Sequence, residues 1–311
     1  MARSPKETNV NLAVDLGGLA MGNPVTVASG TFAAGIEFSD FVDVASLGAV
    51  TTKGVSLNGW EGNPGVRIAE TPSGMLNSIG LQNPGVEHLK SVELPWLAEQ
   101  GATAIVNVSG HSFEEYVQVI EKLEESPYVG AYEINISCPN VDHGGMTIGC
   151  EVKSVEQVIG MCRKATKRPM IVKLTPNVTD ITEIARAAVS AGADALSLIN
   201  TVLGMAVNAR TRTPELTRVV GGLSGPAIKP IALRMVWETH KAVDVPLLGM
   251  GGLSNGTDAV EFMLAGATAV AVGTANFITP TASVDVIDGI IEYCETYGVN
   301  DVNELIGALK C

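Results

Sequence analysis

Two lysines, Lys53 and Lys173, each end a short apolar run of the sequence. Lysine is rarely buried without a partner, so both positions need an explanation. An ion pair with a neighbouring acid is one explanation. A functional charge is the other: one lysine could hold an anionic substrate, and the second could stabilise a ring that becomes anionic on reduction. A desolvated lysine also loses its proton more easily, so Schiff-base chemistry stays open.

A thiol, Cys138, follows another apolar run and stands among polar residues such as Asn135. A cysteine in apolar surroundings is usually inert core filler, and we expect this of Cys162 and Cys294, which lie on helical stretches. Cys138 differs, because the glycine-rich segment 141–150 that follows it predicts a lid that could bring the thiol to a substrate. At its ordinary pKa of about 8.5 the thiol would need deprotonation to act as a base.

Two glycine-containing turns, Gly251-Gly252 and Gly273-Thr274, lie late in the chain. Glycine lets backbone N–H groups approach a phosphate closely, and the start of a following helix adds favourable partial charge. Tight turns without a ligand would also use glycine. We favour a phosphate site, because barrel enzymes often hold phosphate in the loops after strands seven and eight.

A segment rich in Gly and Asn, residues 74–85, could surround a small planar anion with backbone N–H groups and side-chain amides. The residues at its centre are Asn77, Ser78, Ile79, Gly80 and Leu81. The histidines lack metal-ligand spacing and no CxxC pair occurs, so we expect no metal site.

Regular elements must position these candidates, and the sequence repeats one pattern eight times: an apolar β-rich run, a Gly or polar residue, then an amphipathic stretch. Runs that are apolar on both faces are typical of strands buried in a parallel sheet. We predict an α/β protein with a (β/α)₈ TIM barrel, and a doubly wound open sheet is the alternative. The predicted strands are Val25–Ala28, Ala49–Thr52, Ala104–Val108, Tyr132–Ile136, Met170–Leu174, Ala195–Ile199, Pro246–Gly249 and Ala269–Val272.

Every predicted strand ends in or is followed by a polar residue or a glycine. In a barrel these positions converge on one mouth, where barrel enzymes carry out their chemistry. They are Ser29, Gly30, Lys53, Gly54, Asn107, Asn135, Ser137, Cys138, Lys173, Asn200, Thr201, Gly251, Gly252, Gly273 and Thr274.

Segments outside the repeating pattern complete the prediction. Residues 11–25 predict an N-terminal β-hairpin that plugs the bottom of the barrel. Long loops after strands two, four and six should build the active-site face. Asp180 and Glu183 have the types of a helix cap and a first-turn acid, which predicts a helix from Ile181.

The bulk composition narrows the class of protein. The 311 residues carry a formal net charge of −13, which argues against nucleic acid as the main partner. The five cysteines are scattered and odd in number, which is typical of reduced thiols and indicates a cytoplasmic location. No apolar run is long enough for a transmembrane helix, so we expect no membrane association. We expect residues 1–311 to form a single domain.

Together these residues resemble the class 1 dihydroorotate dehydrogenases, over nearly the whole chain. The most specific matches are Thr52-Lys-Gly54, Asn77–Gly85, Asn135–Asn140, Lys173, Ile199–Thr201 and the two glycine turns. The resemblance implies an FMN-binding (β/α)₈ barrel. The positions that it implies for FMN are Ser29, Lys53, Gly54, Asn107, Asn135, Lys173, Ile199, Gly225, Gly251, Gly252, Gly273 and Thr274.

The same resemblance implies oxidation of dihydroorotate to orotate in pyrimidine (UMP) biosynthesis, with Cys138 as the catalytic base and hydride passed to FMN. The positions that it implies for the substrate are Lys53, Asn77, Ser78, Ile79, Gly80, Leu81, Asn135, Asn200 and Thr201. Segments 80–85 and 141–145 look like class 1B. That class joins a homodimer of this subunit to a subunit carrying FAD and a [2Fe–2S] cluster, giving a heterotetramer that passes electrons to NAD⁺.

Other functions stay open from the sequence. A class 1A homodimer would use fumarate instead of NAD⁺. A Schiff-base aldolase barrel would use Lys53 or Lys173 on a sugar phosphate. A related flavoenzyme could act on another pyrimidine, and a barrel without catalytic activity could serve as a binding subunit. The many polar residues at the strand ends argue against the last of these.

Overall fold

A parallel barrel forms the centre of the molecule. The computed structural model describes residues 2–137 and 148–310. Its eight parallel strands are apolar and buried, since each lies between the barrel interior and the surrounding helices. In chain order the barrel strands are Val25–Val27, Val50–Thr51, Ala104–Val108, Val129–Asn135, Met170–Lys173, Ala195–Leu198, Leu247–Met250 and Ala269–Val272.

The first and second barrel strands bring the sheet nearly to closure. Hydrogen-bonded pairing runs from the second strand through the third to the eighth strand and then to the first. At the remaining seam, the Gly48 N–H donates to the Val25 carbonyl at 2.9 Å, and the Thr26 and Thr51 hydroxyls are 3.1 Å apart. The predicted TIM barrel is confirmed, and the open doubly wound sheet is wrong.

Helices alternate with the strands and cover the outside of the barrel. The helix predicted from Ile181 runs to Ser190, and the Asp180 carboxylate accepts from the Thr182 N–H at 2.8 Å, as a cap residue should. The α-helices are Ser29–Phe32, Val86–His88, Leu94–Glu99, Phe113–Glu124, Val152–Ala165, Ile181–Ser190, Lys229–His240, Gly256–Leu264, Ala275–Ile278 and Ala282–Tyr297. A π-helical turn, Leu89–Glu93, joins the second helix to the third, and the 3₁₀ turns are Ile36–Phe38, Val44–Ser46, Ile148–Cys150, Pro226–Ile228 and Val302–Leu305.

An N-terminal hairpin lies across the bottom of the barrel, as predicted. Val14–Asp15 pairs antiparallel with Ala20–Met21. A Cβ on Gly17 would stand 2.5 Å from the Asp194 carbonyl oxygen, and Asp194 directly precedes the sixth strand. Leu19 is buried against Gly130, at the start of the fourth strand. The hairpin therefore contacts the amino ends of the strands and leaves the opposite rim open.

The sequence predicts long loops after strands two and six. In the structure these connections contain short β-strands. They contain Ile68–Thr71, Gly74–Asn77, Val202–Met205 and Val220–Ser224, which join into one antiparallel four-stranded sheet, the accessory sheet. A further short hairpin pairs Val207–Asn208 with Thr213–Pro214. The predicted lid after strand four falls mostly on residues 138–147, which lie outside the described residues.

The two helical cysteines are core residues, as predicted. Cys162 and Cys294 are fully buried on their helices. Burial raises the pKa of the Cys162 thiol to about 12, so the side chain stays protonated at neutral pH. Within residues 2–137 and 148–310, no helix combines the length and the apolar character that a membrane crossing requires.

Candidate functional site

A cavity of about 560 Å³ opens at the carboxyl ends of the barrel strands, beneath the accessory sheet. It collects most of the residues that the sequence predicted for binding. Those that line it are Ser29, Gly30, Lys53, Asn77, Ser78, Ile79, Gly80, Leu81, Asn135, Ser137, Lys173, Ile199, Asn200, Thr201, Gly225, Gly251, Gly252, Gly273 and Thr274. Of the remaining candidates, Gly54 and Asn107 are not among its lining residues in the described part of the chain, and Cys138 lies outside the described residues.

Lys173 forms the charged floor of the cavity together with a buried acid. Its side chain is 5% exposed, and its Nζ lies 3.7 Å from Oε2 of Glu133, which is 0% exposed. The ion pair that the sequence left open as an explanation is therefore present, while Lys173 also lines the cavity. An ammonium in this place can stabilise negative charge on a ligand above it, because water is largely excluded around it.

Side chains from two other barrel strands donate hydrogen bonds to both oxygens of the Glu133 carboxylate. Ser197 donates from its Oγ at 2.7 Å to Oε1, and Asn107 donates from its Nδ2 to Oε2. The strand register brings these four side chains together, because Asn107 lies beside Glu133 on adjacent strands and Ser197 lies beside Lys173 on adjacent strands. Glu133 was not among the predicted site residues. A single acid within the apolar run 131–136 was the signal that could have found it.

Asn107 and Gly54 stand behind the cavity wall and support it. The Asn135 Nδ2 donates to Asn107 Oδ1 at 3.3 Å, so Asn107 connects the buried acid to a residue of the lining. A Cβ on Gly54 would lie 2.6 Å from that same Oδ1 and 3.0 Å from Ser109 Oγ. Gly54 is thus explained by the close approach of Asn107.

Asn135, Ser137 and Asn200 form a hydrogen-bonded chain along one side of the cavity. The Ser137 Oγ donates to Asn135 Oδ1 at 2.7 Å, and Asn200 Nδ2 donates to Ser137 Oγ at 2.6 Å. The Thr201 N–H donates to Asn200 Oδ1 at 2.7 Å. These contacts fix the amide orientations, so the side chains meet a ligand already aligned.

The segment Asn77–Leu81 forms a tightly packed part of the cavity wall. Gly80 has a φ of +76°, and a Cβ there would lie 2.6 Å from the Asn63 N. The Asn63 Nδ2 donates to the Ser78 carbonyl at 2.9 Å. The Ser78 Oγ is buried and has no hydrogen-bond partner among the described residues, which leaves it available to a polar ligand.

Three glycine turns meet at the other end of the cavity. Gly225 has a φ of +95° and Gly252 a φ of +83°, which L side chains rarely adopt. A Cβ on Gly252 would lie 2.7 Å from both the Gly225 carbonyl oxygen and the Lys229 N. Thr274 Oγ1 donates to Ser224 Oγ at 2.8 Å, which ties the turn after strand eight to the accessory sheet. This end of the cavity therefore contains backbone turns and the starts of helices, which are the features that a phosphate site requires.

A partly buried ion-pair cluster braces the glycine turns from behind. The Lys229 Nζ donates to Asp258 at 2.6 Å and to Glu261 at 2.8 Å, and the Ser254 N–H donates to Asp258 at 2.8 Å. Burial alone would raise the pKa of Asp258, but the hydrogen bonds from Lys229 and Ser254 outweigh burial and hold that pKa below its usual value. Burial likewise opposes the charge of Lys229, but Asp258 and Glu261 raise the pKa of its ammonium.

The structure adds lining residues that the sequence analysis missed, among them Cys150, Asn177 and Arg218. Asn177 Nδ2 donates to the Thr201 carbonyl at 3.1 Å, and its Oδ1 accepts from the Leu203 N–H at 2.9 Å. Asn177 stands four positions beyond Lys173. The search for polar residues directly after each strand would have found it if it had been extended by a few positions. Arg218 adds a positive charge to those of Lys53 and Lys173, so the cavity is basic although the chain is acidic.

Comparison with known proteins gives a consistent result. The family model of dihydroorotate dehydrogenase matches residues 11–294. The chain is 54% identical to the dihydroorotate dehydrogenase B (NAD(+)), catalytic subunit, of Pelobacter propionicus, over 97% of this chain and 99% of that protein. The proteins of the same name from Alkaliphilus metalliredigens and Bacteroides thetaiotaomicron are also 54% identical, covering 97% and 96% of this chain and 100% and 99% of their own lengths.

A solved structure supports the fold. The crystal structure of a dihydroorotate dehydrogenase from Eimeria tenella in complex with ferulenol superposes with a TM-score of 0.80 at 22% identity, covering 96% of this chain and 88% of the other. At that identity the likeness speaks to the barrel alone. The family match and the relatives, which extend over nearly the whole chain, decide the assignment: this chain belongs to the dihydroorotate dehydrogenase family.

Proposed function

We propose that this chain is the catalytic subunit of an NAD⁺-linked, class 1B dihydroorotate dehydrogenase, which oxidises dihydroorotate to orotate in pyrimidine biosynthesis. The observation that carries the proposal is that two lysines, Lys53 and Lys173, and three amides, Asn77, Asn135 and Asn200, line one and the same cavity. Ammonium groups suit the carboxylate of dihydroorotate, and amides suit the polar edge of its ring.

Dihydroorotate dehydrogenases are flavin-dependent, and we propose FMN for this chain. The glycine turns fit the phosphate, because a Cβ on Gly252 would lie 2.7 Å from the Gly225 carbonyl oxygen and from the Lys229 N, so glycine is what lets these backbones meet at the cavity. The Ser78 Oγ, buried and without a partner among the described residues, marks the Asn77–Leu81 part of the wall as a polar site. When bound, the flavin supplies the redox chemistry by accepting the hydride equivalent from the substrate. The residues proposed to hold it are Ser29, Lys53, Gly54, Asn107, Asn135, Lys173, Ile199, Gly225, Gly251, Gly252, Gly273 and Thr274.

The substrate is held by Lys53, the segment Asn77–Leu81, Asn135, Asn200 and Thr201 in this proposal. The hydrogen-bonded chain from Asn135 through Ser137 to Asn200 fixes the amides before the ligand arrives. Preorganisation of this kind lowers the entropic part of the barrier, because the reacting groups do not have to search for their orientation.

Cys138 is proposed as the base that removes the C5 proton of dihydroorotate as a thiolate. The residue lies outside the described residues, and its support is its place in the chain. The preceding Ser137 lines the cavity and is hydrogen-bonded to both Asn135 and Asn200. General-base assistance typically contributes about 10²- to 10⁴-fold to a rate.

The first experiment is an absorption spectrum of the purified protein, followed by anaerobic addition of dihydroorotate. We expect a flavin spectrum that bleaches on addition, and Cys138→Ala should keep the flavin while reduction slows by about 10²-fold or more. Cys150→Ala is the matched control, since the Cys150 thiol is among the residues that line the cavity. A colourless protein that borohydride traps covalently on a sugar phosphate would favour the aldolase alternative.

The relatives are named as catalytic subunits, which implies a partner subunit for this chain. We propose that the partner carries FAD and a [2Fe–2S] cluster and joins a homodimer of this chain in a heterotetramer.

Exposed apolar side chains on and beside the accessory sheet support an interface there: Leu203, Met205 and Val207 are 55%, 54% and 56% exposed. Light scattering of the chain alone and with its partner tests the assembly. Fumarate turnover by the chain alone would point to class 1A.

The domain organisation and location are also proposals. We propose that residues 1–311 form one domain and act in the cytoplasm. The location is supported by cysteines that are odd in number and scattered along the chain.

A further inference from the structure

We propose that Glu133 is a positioning residue that holds the Lys173 ammonium at the cavity floor and offsets part of its charge. The reduction potential of the bound flavin is then lower than it would be if Lys173 were present without the Glu133 charge. The inference rests on the proposed function, because it concerns the flavin that the cavity is proposed to bind.

Glu133 and Lys173 are buried as a pair, and neither is surrounded by water. The side chains of Glu133 and Lys173 are 0% and 5% exposed. A buried carboxylate is costly unless it is paired and hydrogen-bonded, and Glu133 has both kinds of partner: Lys173 at 3.7 Å, and donors from Ser197 and Asn107. Both carboxylate oxygens are therefore used, which fixes the position of the acid beneath the lysine.

The consequence concerns charge and follows from the order of the two groups. Lys173 lines the cavity, whereas Glu133 is not among the lining residues in the described part of the chain. A ligand in the cavity therefore lies closer to the Lys173 ammonium than to the Glu133 carboxylate. The carboxylate, on the far side of the lysine, weakens the positive field that the lysine exerts on the ligand. Because reduction adds negative charge to a flavin, removing the carboxylate should stabilise the reduced form.

Glu133 is also the link between Lys173 and the substrate-facing amides. Asn107 donates to Glu133 through its Nδ2 and accepts from Asn135 through its Oδ1 at 3.3 Å. The same acid thus orients the lysine on one strand and, through Asn107, an amide on another. A structural acid far from the cavity would not be connected to both.

The test is an anaerobic redox titration of the purified flavoprotein against a reference dye. Glu133→Gln keeps the shape of the side chain and removes its charge. We expect the ratio of reduced to oxidised flavin, measured at the same solution potential, to rise about tenfold. This corresponds to an increase of about 30 mV in the reduction potential of a two-electron couple. Ser197→Ala is the matched control, because it removes a hydrogen bond to the same carboxylate without removing charge. Its ratio should change less than twofold.

An unchanged or lower potential in a Glu133→Gln protein that retains its flavin overturns the inference. If this variant fails to hold flavin, Glu133→Asp takes its place, since it keeps the charge and moves it away from Lys173 by one methylene. That variant should raise the potential by a smaller amount, and a wild-type potential would overturn the inference. A wild-type protein that binds no flavin, or whose flavin dihydroorotate does not reduce, would instead sink the proposed function.

Discussion

The two ends of the cavity are built from different materials. At the floor, side chains from the barrel strands supply charged and polar groups: Lys173 and Glu133 form a buried ion pair, and Asn107 and Ser197 complete its hydrogen bonds. At the glycine end, backbone turns face the cavity, and the charged groups, including Asp258, stand behind them. The floor thus depends on which side chains are present, and the glycine end depends on their absence.

This difference predicts opposite responses to the same kind of mutation. At the floor, removing a side chain removes a charge and leaves its partner buried without compensation. At the glycine end, adding even one carbon places it against the backbone of a neighbouring turn. The following predictions test that contrast, beginning with the largest effect.

Gly252→Ala should abolish flavin retention, with flavin content of the purified protein falling at least tenfold. Its Cβ would lie 2.7 Å from the Lys229 N, and the backbone has a φ of +83°. Gly298→Ala is the control for backbone strain, because Gly298 has a φ of +69° and no described atom within 4 Å of its Cβ. That control should keep its flavin and lose about 1 kcal/mol of stability. Equal flavin loss in both variants would contradict the steric explanation.

Lys173→Met should lower the free energy of unfolding by roughly 3–5 kcal/mol, because it leaves the Glu133 carboxylate buried without its counter-charge. Adding Glu133→Gln should recover most of that loss, since the double variant has no buried charge at this place. Urea unfolding in the same excess of FMN measures both. If the second change fails to restore stability, the ion pair does not dominate the energetics of the floor.

Asp258→Asn should destabilise the protein by roughly 1–3 kcal/mol at pH 7, since it weakens charge-assisted hydrogen bonds from Lys229 and Ser254. The pKa of Asp258 is held below its unfolded value of about 3.9, so the stability it contributes is present above that pH. It is lost as the pH falls through the lower folded pKa. The stability difference between wild type and variant should therefore shrink below about pH 4, and a difference that persists at lower pH would contradict this account.

Ser254→Ala should have the smallest effect, about 1 kcal/mol of stability with flavin content close to wild type. It removes one side-chain hydrogen bond to Asp258, at 3.0 Å, while the Ser254 N–H still donates to the same carboxylate. Thermal unfolding and flavin absorbance measure the two quantities. A large flavin loss would mean that the brace behind the turns matters more than the turns themselves.

The barrel could be predicted because its signals are local. Apolar runs of strand length alternate with amphipathic stretches, and Asp180 caps the helix from Ile181 as its type and position predicted. The residues after each strand, such as Lys53 and Gly273, could be assigned to one cavity because the carboxyl ends of barrel strands share one rim. Periodicity and chain order were sufficient for this part of the molecule.

The accessory sheet could not be predicted, because its strands come from distant parts of the chain. Gly74–Asn77 pairs with Val220–Ser224, and short segments with several glycines give little strand signal of their own. The sequence indicated two long loops, and only their meeting in space turned them into a sheet above the cavity.

The sequence by itself determined that a lysine and several amides would surround one cavity, because strand order alone places those residues on a single rim. Only the tertiary structure decided that Glu133 belongs to that site, and that Asn107 stands behind the wall. The physical reason is that the buried carboxylate depends on hydrogen bonds from Asn107 and Ser197 and on the charge of Lys173. These residues lie on three other strands, whose register no local pattern records.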